Sequence, residues 1–298
     1  MDWQDQLISL YLQVCKFYSQ GLSEYCTRTS HYSNLKFSDE EALTLFLWGI
    51  QEGCKTIKSI HKLGKHHLYD WFPNLPGYVA FDQRLNHISD VFIPLIEIAK
   101  DKCSTPDITR RKYDAVIDSM PIIMAQRGRR FNAKVAPEIA TANGYCATKK
   151  LYYYGVKLHI LAEHNPGKLP HPEYIGLTNA GMHDRKAFEM IIPELGEGIN
   201  NCYADKAYQT ERKAINESES FILLTPVKKE KGQTHLDSAD KWLSRAISSI
   251  RQPIESFFNW INEKTGIQVA SKVRSYKGLM VHVCGRLAAA MLIEVVKI

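Results

Sequence analysis

The chain has 298 residues, 45% hydrophobic and 23% charged, a balance ordinary for a soluble globular protein with a large core and about two domains. Its formal net charge of +6 permits a polyanionic partner without requiring one. Seven scattered cysteines, with no C-x-x-C pair, argue against a disulfide framework or a zinc ribbon and suit a reducing cytosol.

The N-terminus shows no basic stretch followed by an apolar one, and no run approaches the roughly 18 uninterrupted apolar residues of a membrane span. Neither a secretory leader nor a membrane partner is therefore expected. Trp3, Leu7, Leu10, Val14 and Phe17 alternate spacings of four and three, as in a helix packed on others or on a copy of itself. Ser38 to Glu41 makes a capping box, with Phe37 placed as a hydrophobic staple, ahead of an apolar run to Trp48.

Two short helices are expected next, Cys54 to Leu63 and Gly77 to Ile88, separated by Gly64 and a turn-rich stretch. The first carries Lys55, Lys58 and Lys62, and the second Gln83, Arg84, Asn86 and His87, side chains able to read base edges or hold phosphate. The same residues also suit the solvated face of a plain helical bundle. His61, His66 and His67 lack a cysteine or acid at ligand spacing, so no metal is expected there. Asp90 to Lys102 reads as a further helix and Ser104 to Asp107 as a linker. Residues 1–105 are thus expected to form a helical DNA-binding or dimerisation domain.

From residue 106 to 298 the pattern is mixed. Five short strands are expected: Tyr113–Asp118, Leu151–Leu161, Glu173–Thr178, Asn201–Asp205 and Phe221–Thr225. With the intervening helices the order is βββ-α-β-α-β-α-α, an α/β domain with a mixed five-stranded sheet. Three basic runs punctuate it: Arg127, Arg129, Arg130 and Lys134; Lys228, Lys229 and Lys231; and Lys272, Arg274 and Lys277. A single such run is usually only solvated, but three in one acid-centred domain favour nucleic acid.

The acids in question are Asp118 and Asp205, each at the end of a β-type run, and Glu255 on a helix. Ile254, Phe257, Phe258 and Ile261 form one apolar stripe, with Glu255 at its edge and Arg251 one turn earlier. Pro253 predicts a kink or a fresh helix start. Converging carboxylates repel unless cations separate them, and hard oxygen ligands of this kind suit Mg²⁺ or Mn²⁺. Two such ions could activate an attacking oxygen and stabilise a leaving one at phosphorus.

Val116-Ile-Asp118-Ser, Tyr203-Ala-Asp205-Lys-Ala-Tyr208 and Arg251-x-x-x-Glu255 resemble the three motifs of DDE transposases from bacterial insertion sequences, and most resemble the insertion-sequence family numbered 982. The resemblance covers roughly residues 110 to 296. It implies an RNase H-like catalytic domain, a site for two Mg²⁺ ions on Asp118, Asp205 and Glu255 in which Mn²⁺ can substitute, and movement of the element's own DNA. It also implies double-stranded DNA, both element ends and target, as partner, a homodimer on that DNA, and a bacterial cytoplasmic, nucleoid-associated location. Arg251, Lys206 and Arg84 join the basic-run residues as expected DNA contacts. Gly181-Met-His183-Asp184 also looks like a stretch common in these enzymes. Ser248 and Asn262 stand where some relatives carry Tyr and Lys, so a phosphate role for that Lys is not carried over. A nuclease without strand transfer and a DNA-binding regulator are the alternatives.

Overall fold

A computed structural model describes residues 2–27, 35–103, 112–195, 198–209, 221–229 and 231–296. The expected linker at Ser104 to Asp107 and a helix expected between the fourth and fifth strands fall outside these residues. The chain divides into two compact units, one of Met1–Cys103 with Ile261–Ile298 and the other of Ser104–Trp260.

In the helical unit, α1 (Trp3–Ser19) buries Leu7, Leu10, Val14 and Phe17, while Trp3 stays partly exposed against the edge of Trp71. Helix α2 (Asp39–Gln51) begins at the expected capping box, in which Glu41 N–H donates to the Ser38 hydroxyl and Ser38 N–H to the Glu41 carboxylate. Phe37 packs edge-on to Phe72 and Phe81. Helix α3 (Ile57–His67) continues through Gly64, which sequence had placed in a break. The missing side chain matters there, because a Cβ would lie 2.8 Å from Leu45 and 2.9 Å from Leu75. Helices α4 (Tyr78–His87) and α5 (Phe92–Cys103) follow.

The last stretch, from Ile261, belongs with these helices and not with the sheet to which the boundary at residue 105 had assigned it. Two features account for this. Gly285 approaches Phe46 so closely that a Cβ would lie 2.9 Å from its ring. Arg286, buried, donates to the carbonyls of Lys55 and Thr265 and so has its buried donors satisfied there. The helical run from Tyr276 to Ile293 is apolar and long enough to cross a membrane by composition, but 72% of it is buried.

The second unit holds a mixed sheet of six strands among the described residues, one more than expected. They are β1 (Tyr113–Gln126), β2 (Asn143–Cys146), β3 (Leu151–Glu163), β4 (His171–Asn179), β5 (Ile199–Tyr203) and β6 (Ile222–Leu224). β3 lies antiparallel to β1 on one side and to β2 and β4 on the other, while β5 and β6 extend parallel from the far side of β1. The unexpected strand, β2, is only four residues long and contains a glycine, so its sequence carries little periodic signal. Helix α6 (Asp184–Ile191) covers one face, burying Phe188 and Ile191 with Ala115, Ile117, Leu161, Ile199 and Cys202.

Helix α7 (Ser238–Thr265) runs unbroken through Pro253, where sequence predicts a kink or a new start. Pro253 cannot donate to the Ser249 carbonyl, but Ser249 is exposed, so water can replace the lost bond. The helix closes with Asn262, whose side chain accepts from Gln268 N–H. That capping use explains an Asn at this position. Helices α8 (Tyr276–Met280) and α9 (Arg286–Val296), joined by a π-turn, complete the helical unit.

Candidate active site

Parallel pairing aligns the first two acids. Val116 on β1 is opposite Tyr203 on β5, so Asp118 and Asp205 each come two residues after the same paired position. Asp118 does not end its strand, as sequence suggested. β1 continues past it to Gln126, whereas β5 stops at Tyr203 and leaves Asp205 on the open segment beyond. Along β1 side chains alternate, and because Ala115 and Ile117 meet α6, Asp118 faces the opposite way.

Arg251 reaches this face from α7. Ile247, Arg251, Ile254 and Phe258 share one helical stripe and all are buried, which puts a guanidinium where only apolar groups are otherwise found. Its charge is compensated by the acids. Arg251 Nη2 donates to Asp118 Oδ2 at 3.2 Å and to Glu255 Oε1 at 3.3 Å, and Nη1 lies 3.8 Å from Asp205 Oδ1. Three acids far apart in sequence therefore meet at one guanidinium. Arg251 itself is 7% exposed, whereas the Asp205 and Glu255 side chains keep about half their surface, at 49% and 57%.

Among the described residues, no group of three or more His, Cys, Asp or Glu is placed to hold a metal ion, and the three acids face the Arg251 guanidinium instead. Burial raises the Asp118 carboxyl to about 6, partly opposed by the Arg251 charge and by the Ser119 N–H, with Asp205 and Glu255 adding to the rise. Such an elevated acid beside a half-exposed pair is typical of functional clefts.

On the other face of the sheet, directly behind Asp118, lies a polar network that sequence reasoning left without a role. Ser119 hydroxyl and Lys157 Nζ each donate to Asp184 Oδ1 at 3.0 Å, and Lys157 also donates to the Met182 carbonyl at 2.8 Å. His159, fully buried, pairs with the Thr178 hydroxyl, and burial lowers it to about 4, so it is neutral at ordinary pH. The Gly181–Asp184 stretch thus ties the start of α6 to β1 and β3, with His183 capping the helix. The available signal was Lys157 itself, a cation within an apolar strand, where an acidic partner is required.

The expected DNA contacts divide. Arg127, Arg129, Lys134, Lys206, Lys228 and Lys229 are exposed in the sheet unit, and Lys272 and Arg274 are exposed in the helical unit. Arg84 is otherwise employed. Its Nε donates to Asp39 at 2.6 Å and its Nη2 to the Cys26 carbonyl, and only 12% of its side chain is exposed. Lys55 is likewise spent, on the carbonyls of Glu263 and Lys264 at the end of α7.

A family model described as the transposase DDE domain matches residues 110–292, a span that includes β1 to β6, the three acids and Arg251. No curated protein and no solved structure matches the chain.

Proposed function

We propose that this chain, which belongs to the transposase DDE-domain family, is an insertion-sequence transposase that cuts DNA at the element's inverted-repeat ends and joins the 3′-hydroxyl ends to target DNA. The observation that carries this reading is the meeting of Asp118 on β1, Asp205 just past β5 and Glu255 on α7 at one guanidinium on the face opposite α6. The strand arrangement, antiparallel strands β1 to β4 extended in parallel by β5 and β6, supports an RNase H-like fold. The family numbered 982 remains the insertion-sequence group that its motifs most resemble.

The donor chemistry fits two Mg²⁺ ions, or Mn²⁺ in their place, because three carboxylates supply hard oxygen ligands and two of them are half exposed. Bound there, the ions would stabilise the attacking and leaving oxygens of an in-line displacement at phosphorus. Arg251 and these cations compete for the same carboxylate oxygens. Once released, the guanidinium can take a phosphate oxygen pair in a bidentate grip. Ser119, Asp184 and Lys157 fix β1 from behind and so hold Asp118 in place. We place the protein in the bacterial cytoplasm, as a homodimer on double-stranded DNA.

Incubation with Mg²⁺ and labelled inverted-repeat ends tests the proposal directly. Strand transfer supports it, cleavage without transfer would indicate a nuclease, and binding alone a regulator. The basic turn after β1 gives a second test. Neutralising Arg127, Arg129 and Arg130 should weaken binding to all duplexes alike and flatten the slope of log K against log salt by up to ~2.7, at about 0.9 per lost phosphate contact. An unchanged slope would make this turn an ordinary solvated one.

A further inference from the structure

The end of the sheet furthest along β1 from Asp118 carries a patch that cleavage chemistry does not use. β2 and β3 pair antiparallel there, with Tyr145 directly opposite Tyr152 and their ring centroids 4.8 Å apart. Tyr153, the intervening residue, points to the other face and is buried. The 3₁₀ turn Arg127–Phe131 lies beside this hairpin, and the Arg130 guanidinium sits 5.0 Å from the Tyr152 ring and 4.1 Å from the Phe131 ring. Tyr145, Tyr152 and Phe131 are 51%, 57% and 69% exposed, so three aromatic side chains in one small area present more than half their surface to solvent.

Exposed aromatics are costly unless they are used, and single ones need no explanation, but a run of three around a guanidinium does. The surrounding charge indicates the user. Residues 127–153 contain six Lys and Arg against one acid, Glu138. The hairpin is also packed closely on its neighbour, since a Cβ at Gly144 would lie 2.3 Å from the Ala180 carbonyl oxygen. An exposed aromatic surface in a positive field is the chemistry that binds unpaired bases, because every base has a π-face and every linkage a negative charge.

We propose that Tyr145, Tyr152, Arg130 and Phe131 form a stacking platform for unpaired nucleobases of DNA. The inference rests on the reading of this chain as a DNA-processing transposase and adds to it a site for single strands. Its position sets a distance. From Asp118 to Gln126 is 126 − 118 = 8 residues of strand, or up to about 26 Å at roughly 3.3 Å per residue. The platform therefore lies within a few nucleotides' reach of a bond held at Asp118, along the same sheet.

The test is a binding titration of the full chain in EDTA, where no cutting occurs, with a fluorescent 20-nucleotide single strand of thymidylate and with a duplex of equal length. Phe131→Ala and Tyr152→Ala should each weaken single-strand binding about tenfold or more, leave duplex binding within about twofold, and leave the thermal melting of the protein unchanged, as suits exposed side chains. Tyr152→Phe, which keeps the ring, should bind as the parent does. A single strand of abasic sites should bind parent and variants equally. Equal losses on both DNAs, no loss on either, or a parent that ignores single strands would overturn the platform. A drop in oligomer size on sedimentation without a drop in single-strand affinity would also overturn it, by giving the patch to a second copy of the chain. Nicking of element ends by the parent protein in Mg²⁺ is measured separately, so failure of the platform is distinguishable from failure of the transposase reading.

Discussion

Changing Asp118, Asp205 or Glu255 to the matching amide is expected to reduce Mg²⁺-dependent nicking at element ends by about a thousandfold or more, while DNA affinity holds or rises. Each amide keeps the shape of its parent but removes one ligand charge, and none of the three acids holds the sheet together. Asp205 and Glu255 are half exposed, so the fold has little to lose at these two positions. A negative charge facing phosphate disappears, which favours binding. Groups acting as one unit are not additive, so the triple variant should be about as inactive as each single one. Partial rescue by Mn²⁺ is expected in the mildest variant, because Mn²⁺ tolerates altered ligands better than Mg²⁺. Near-parental nicking by Asp205→Asn, measured beside a binding titration on the same preparation, would show that the site has been assigned to the wrong acids.

The acids were legible in sequence because each stood next to a short, strongly patterned element: Val116-Ile before Asp118, Cys202-Tyr-Ala before Asp205, and the apolar stripe of α7 beside Glu255. Their meeting point was not. Register between β1 and β5 is a tertiary fact, and no local spacing encodes that Val116 pairs with Tyr203. The N-terminal capping box was readable for the opposite reason, since both partners lie within four residues. The pairing of Arg84 with Asp39 was not legible, because a surface-type side chain on an amphipathic helix looks the same whether it meets solvent or an acid distant in sequence. The same blindness to distant partners hid the return of the C-terminal helix to the N-terminal helices, where Gly285 and Arg286 find contacts more than 190 residues back, at Phe92 and beyond. Residues 1–105 alone would leave that contact surface bare, so the sequence boundary is a poor place to cut the chain. Pro253 misled through propensity, which burial of the stripe on either side of it outweighs.

Replacing Arg251 with alanine is expected to have the largest effect on stability, about 3–5 kcal/mol at neutral pH, because it removes the cation that three acids share and leaves buried charge uncompensated. The pH dependence follows from Asp118. Its folded-state value, about 6, is above the ordinary value of 3.8, so ionising it opposes folding. The stability associated with the protonated form is fully present below the unfolded value and is lost as pH rises through the folded one. In the parent, this loss is spread over roughly pH 4 to 6 and is limited by Arg251, whose charge favours the carboxylate. Without Arg251 the folded value rises further, and the decline becomes larger and extends to higher pH. Melting temperatures of parent and variant should therefore lie closest near pH 4 and diverge towards pH 8. Divalent ions supply a second readout. If Arg251 and metal compete for the same oxygens, Mg²⁺ should raise the melting temperature of Arg251→Ala more than that of the parent, in the absence of DNA and of any catalysis. Asp118→Asn in the same background should remove both the pH dependence and most of the response to Mg²⁺. A variant destabilised equally at pH 4 and pH 8, and indifferent to Mg²⁺, would mean that Arg251 is held by packing alone and that its contacts with the three carboxylates carry no net energy.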